Sequence, residues 1–188
     1  MDMLLSLWLP IALSAVAVWI ASALAWTVLP HHSGDMKGLP DENAFIAALR
    51  QLSIPPGRYG FPHCGSHKAG KDPEFQKKWK EGPAGELTVW RPVNMGRNLL
   101  LTFLVHLLIS FFVGYIASAS LARGASFGEV FQIAATAGVL GHAFGHLPNG
   151  IWFQHGRNAM IACLADGVAY GMITGAVFAL LWPGLPTP

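Results

Sequence analysis

The sequence predicts an all-α membrane protein: a four-transmembrane-helix bundle with a small extramembrane α+β insertion between helices 1 and 2. Two observations predict it. Of 188 residues, 53% are hydrophobic and only 12% charged, whereas a soluble domain carries roughly 25% charged residues; the mean hydropathy is +0.43. The apolar residues also fall into four long blocks, and ten of the twelve Lys and Arg residues crowd between the first two. A net charge of +2 supplies no basic surface for nucleic acid. The partner that composition does imply is the lipid bilayer.

A spanning helix needs about 20 mostly apolar residues to cross a hydrocarbon core of about 30 Å. Span one is placed at residues 4–29, a block without charge. Ala23-Leu24-Ala25 resembles a signal-peptide cleavage site, but the start offers only Asp2 instead of a basic region, and the apolar core is too long. An uncleaved span is expected. Span two is placed at 98–122, span three at 127–147 and span four at 158–182. Span three is burdened by Glu129, Gln132, His142 and His146, so a pair of re-entrant segments is its alternative.

Residues 30–97 read as a folded cytoplasmic loop subdomain. Asp41 is a helix N-cap, and Phe45, Ala48, Leu49 and Leu52 follow at helical spacing until Pro55-Pro56-Gly57. Asp72-Pro73 opens a second helix, with Pro73 at its first position and Phe75 four residues before Trp79. Glu86 to Arg91 reads as a short strand, with Arg58 to Phe61 as its partner. So small a unit holds little core of its own, and is expected to rest on the membrane face or on a partner.

Orientation follows from Lys and Arg, which favour the cytoplasmic side. Placing the large loop inside puts eleven basic residues in the cytoplasm and leaves Arg123 alone outside. Both termini then face out. The stretch Leu29-Pro30-His31-His32 through Leu39-Pro40-Asp41-Glu42 to Ala48-Leu49-Arg50, and later Asn94-Met95-Gly96-Arg97, resembles an uncharacterised family of small polytopic bacterial membrane proteins. That resemblance implies membrane topology in the bacterial inner membrane, and no catalytic residues.

Helices in lipid associate through small residues that let backbones approach. Span four carries Gly167, Gly171 and Gly175, span three Ala134, Gly138, Gly141 and Gly145, span one Ala17, Ala21 and Ala25, and span two Gly114 and Ser118. These stripes serve a compact bundle, a homodimer or a larger membrane complex.

Ionisable groups within a membrane are costly and mark functional candidates. His106 lies eight residues past Asn98, Asp166 eight past Asn158, and His142 five before Leu147. At about 1.5 Å per residue these three share one leaflet at roughly 8–12 Å depth. His146 is expected one turn from His142 on the same face. His106, His142, His146 and Asp166 together have the ligand types of a transition metal site. His106 and His142 alone suit the two axial positions of haem b. The plain alternative is a structural cluster in which these groups pair with one another. His63-Cys64-Gly65-Ser66-His67 has metal-like residue types without a second cluster. Cys64 and Cys163 form no CxxC pair and are expected to be free thiols.

Three functions follow as expectations. The leading one is a non-enzymatic accessory or assembly subunit of a larger membrane complex, given the small size and the packing faces. The second is a metal- or haem-binding membrane protein. The third is a proton- or ion-coupled transporter with His142 and Asp166 as the protonatable pair. Enzymatic activity is less expected, since HExxH, GxSxG and the paired-histidine boxes of membrane desaturases are missing.

Overall fold

A computed structural model describes residues 2–185. The chain divides into two compact units, Met1–Lys37 with Met95–Pro188, and Gly38–Asn94.

The larger unit is helical. After a turn of helix at Asp2–Leu5 come α1 (Trp8–Thr27), α4 (Met95–Ser120), α5 (Phe127–His142), a short α6 (Leu147–Trp152) and α7 (Arg157–Leu180). Helices α2 (Glu42–Leu52) and α3 (Pro73–Glu81) belong to the smaller unit. Three helices, α1, α4 and α7, are long and apolar enough to cross a membrane, with 20, 26 and 24 residues. At about 1.5 Å per residue each covers at least 30 Å. The long helices and α5 pack in the cyclic order α1, α4, α5, α7.

Side-chain distribution is that of a protein in lipid. Leu104, Leu108, Phe112, Ile161 and Met172 are exposed. Small residues fill much of the interior, among them Ser14, Ala15, Ser110, Ala117, Ala134 and Thr174. Small residues inside let van der Waals contact accumulate between backbones where no hydrophobic drive separates helix from lipid. Ser110 Oγ donates to Ser14 Oγ at 3.3 Å and ties α4 to α1. At the end away from the large loop, Phe178 packs with Leu7, Val113 and Val130. There the Trp182 indole donates to the Ala122 carbonyl at 3.0 Å, and Gly124, at φ 76°, donates to the Pro183 carbonyl at 2.9 Å.

The closest seam joins α5 to α7. A Cβ at Gly175 would lie 2.5 Å from Ala135 Cβ, and one at Gly171 would lie 2.5 Å from Val139 N. One at Gly167 would overlap the Ala143 backbone. The pairs step four residues at a time, which is the register of two antiparallel helices in backbone contact. Beyond Ala143 the same register reaches Gly150 beside Met160.

The expected third span, 127–147, is not one helix. Its start is fixed by a reciprocal capping box between Ser126 and Glu129, so Glu129 sits at the helix mouth and not deep in the span. Its end comes at His142, after 16 residues, or about 24 Å. A 3-10 turn, Phe144–His146, and then α6 follow. Pro148 sits in the first turn of α6, where its missing N–H is tolerated, and it bars a hydrogen-bond ladder running unbroken past Phe144. Gly141 and Gly145 weaken the helix on either side.

The smaller unit contains the two expected helices and the expected strand pair, the second strand ending at Val89 and not at Arg91. Asp41 accepts from Ala44 N at 2.9 Å and caps α2 (Glu42–Leu52). Asp72 caps α3 (Pro73–Glu81), with Pro73 in its first turn and Phe75 stacked on Trp79. Strands β1 (Gly57–Phe61) and β2 (Gly85–Val89) pair antiparallel, from Gly57 opposite Val89 to Phe61 opposite Gly85. Arg58 and Glu86 form an ion pair across them at 2.6 Å. No residue between 38 and 94 is buried.

Candidate metal centre

Helix α1 ends at Thr27, and Pro30 then forces a tight turn, Pro30–His32, because it cannot extend the helix. The turn lays two consecutive histidines against α7. His31 Nε2 meets Asp166 Oδ1 at 2.9 Å, and His32 Nε2 meets Asp166 Oδ2 at 2.9 Å. One carboxylate thus spends both oxygens on two imidazoles. His32 uses its other nitrogen as well, with Nδ1 at 2.6 Å from Asp35 Oδ2. The Trp26 ring stacks on the His32 ring at 3.8 Å between centroids and 7° between planes. The Tyr170 hydroxyl donates to Asp166 Oδ2 at 3.3 Å.

The arrangement is partly enclosed. The His32 side chain is 4% exposed, Asp166 15% and His31 32%. Both neighbours of His32 are carboxylates that only accept, so a neutral ring, with one N–H, would satisfy one and face the other with a lone pair. Burial disfavours the cation, but the carboxylates of Asp166 and Asp35 outweigh it and hold His32 above its ordinary pKa. The trio is therefore held together by hydrogen bonds between two imidazoles and one shared carboxylate.

His31, His32 and Asp166 each offer one ligand atom, and these atoms lie within 4.8 Å of one another. Two nitrogens and one oxygen suit a first-row divalent ion such as zinc, with a position left open. Ligand atoms on one tetrahedral ion at about 2.0–2.1 Å lie roughly 3.3 Å apart, so the two imidazole–carboxylate contacts, at 2.9 Å each, would lengthen to admit an ion. Asp35 on the far nitrogen of His32 is the carboxylate that commonly orients a metal-binding imidazole.

His106 and His142 do come together, in the interior. Their ring centroids are 5.4 Å apart, and the Tyr170 ring lies 6.3 Å from the first and 5.9 Å from the second. His106 projects from α4, and His142 is the last residue of α5. Beside the pair, α4 and α5 are in close contact. A Cβ at Gly141 would already lie 2.8 Å from Ile109 Cγ2.

The four-residue set read from the sequence is thus divided. Asp166 binds His31 and His32, and it reaches toward the His106–His142 pair only through Tyr170. His146 is exposed in the 3-10 turn and belongs to neither group, because the helix that would have stacked it on His142 has ended. His63, Cys64 and His67 join no three-donor group among the described residues, and the Cys64 thiol instead donates to the Ser66 carbonyl at 3.1 Å. Both cysteines are free thiols.

The residues missed from sequence are His31, His32 and Asp35. They carried a usable signal: adjacent histidines after a helix-stopping proline, with an aspartate three residues beyond the second. No protein-family model, curated protein or solved structure matches this chain.

Proposed function

We propose that this chain is an integral membrane protein that binds a divalent transition metal ion of the zinc class through His31, His32 and Asp166. The observation that carries the reading is a single carboxylate bridging two consecutive imidazoles, with a second carboxylate orienting one of them. This makes metal binding the primary function and moves its centre from the interior set to the end of α1. The accessory-subunit reading has no comparable observation behind it. An ion-coupled transport role remains compatible, with the trio as its entry site.

In this reading the chain crosses a bacterial inner membrane four times. Helices α1, α4 and α7 make three passes, and α5 with its 3-10 turn and α6 makes the fourth as a broken helix. The shared register along α7 supports that pass, since residues 135 to 150 follow α7 from Gly175 back to Met160. Broken helices at membrane depth are tolerated where protein covers them. The loop of residues 38–94 faces the cytoplasm, and both termini face out. A fluorescent protein fused to the C-terminus is expected to stay dark, while alkaline phosphatase there is active. The reverse pattern would overturn the orientation.

Equilibrium dialysis of the detergent-purified chain against zinc chloride, followed by elemental analysis, tests the metal reading. Stoichiometric zinc is expected in the wild type, and one ion fewer in His31→Ala/His32→Ala. A wild type that takes up no zinc would leave the trio as an ion pair pinning α1 to α7. Asp35→Asn is expected to weaken zinc about 10-fold, because losing an orienting partner typically costs 10–100-fold. Titration against a chelating dye measures it, and unchanged affinity would remove Asp35 from the site.

A further inference from the structure

Three buried ring nitrogens lack partners. His106 Nδ1 and Nε2 and His142 Nε2 are shut off from solvent without a hydrogen bond, and the two residues are 8% and 7% exposed. In either neutral tautomer His106 presents one N–H and one lone pair. Both go unmet here, which is costly in an apolar interior. An apolar side chain of similar volume would avoid the cost entirely, so two neighbouring histidines with unmet nitrogens call for an occupant.

The geometry suits a shared ion. Two imidazoles on one tetrahedral ion, at bonds of about 2.0–2.1 Å, place their centroids roughly 5 Å apart. The observed separation is 5.4 Å, with 50° between the ring planes. The pair also sits where α5 stops, and discontinuous helices in membranes are recurrent ion positions. Negative charge is close, since the Tyr170 ring flanks both histidines while its hydroxyl holds Asp166.

We infer that His106 and His142 hold a second zinc-class ion in the interior of the bundle, reached from His31, His32 and Asp166 past the Tyr170 hydroxyl. The interior site stands on its own geometry. The route to it rests on the outer-site reading. Asp166 is the shared element, with both oxygens on the outer histidines and one of them also on Tyr170. With only two protein ligands, the interior ion binds more weakly than the outer one, which suits a transfer position.

The experiment is zinc stoichiometry of the full chain in detergent after dialysis against zinc chloride. Wild type, His106→Leu/His142→Leu and His31→Ala/His32→Ala are compared. Two ions in the wild type and one in each variant are expected. One ion in the wild type, lost only from the outer variant, would overturn the interior site and leave the outer reading standing. One ion lost only from the interior variant would support the interior site and overturn the outer reading with its route. No zinc at all would overturn both. Cobalt(II) loading gives a second readout: two distinguishable sets of visible bands are expected in the wild type, and a single set that persists in His106→Leu/His142→Leu overturns the interior site.

Discussion

Zinc affinity is expected to fall about 100-fold or more when Asp166 is replaced by asparagine. Loss of an orienting partner alone costs 10–100-fold, and Asp166 is placed as a ligand. It is also the one group that both histidines contact, at 2.9 Å each. The amide keeps the size of the side chain but removes its charge and one of its two acceptor oxygens. A factor of 100 corresponds to about 2.7 kcal/mol, far more than an exposed ion pair contributes. Competition between the purified protein and a chelating dye of known affinity would measure it. An asparagine variant that binds zinc as the wild type does would remove Asp166 from the site.

The second large effect concerns folding. Gly175→Leu is expected to destabilise the helical unit by about 3 kcal/mol, the upper end for overpacking. The new side chain would start 2.5 Å from Ala135 Cβ and 2.9 Å from Ala135 N and Cα, and backbone atoms cannot swing aside. Leucine regains about 0.8–1 kcal/mol of helix propensity over glycine, so the steric term decides the sign. Thermal unfolding in detergent would then begin roughly 6–12 °C lower. Gly128→Leu, where an added Cβ meets nothing within 4 Å, is the control expected to lose no stability, since the propensity gain there meets no steric cost. Equal effects from both substitutions would mean that the α5–α7 seam is not as close as described.

Much of the fold was legible because its determinants are local. Asp41, Asp72 and Pro73 announce helix starts by their own chemistry, and the helices begin there. The strand pair emerged from two short runs at a readable spacing. The glycine stripe of α7 announced a close seam by its regular period. The third span was less legible. Apolar composition carries through residues 127–147, but composition does not register where the helix ladder stops within it, at His142. Ser126 and Glu129 form a readable cap that turns an apparent intramembrane charge into a helix-start signal.

The site divided along the same line. Depth counting along helices brought His106 and His142 to one level, because both lie in or at the end of regular helices. It also placed Asp166 correctly on α7. It could not see that a turn outside any span would fold back onto α7, since the approach of His31 and His32 depends on a tertiary contact 134 and 135 residues away in sequence. His146 failed for the opposite reason, because its predicted position assumed a helix that stops four residues earlier.

X-ray absorption at the zinc edge, on the full chain loaded with one equivalent of zinc, tests the central claim most directly. Two imidazole nitrogens and a carboxylate oxygen are expected at about 2.0–2.2 Å, and the same shell is expected in His106→Leu/His142→Leu, where only the outer site is left. A sulfur at about 2.3 Å, or a shell of oxygens alone, would contradict it.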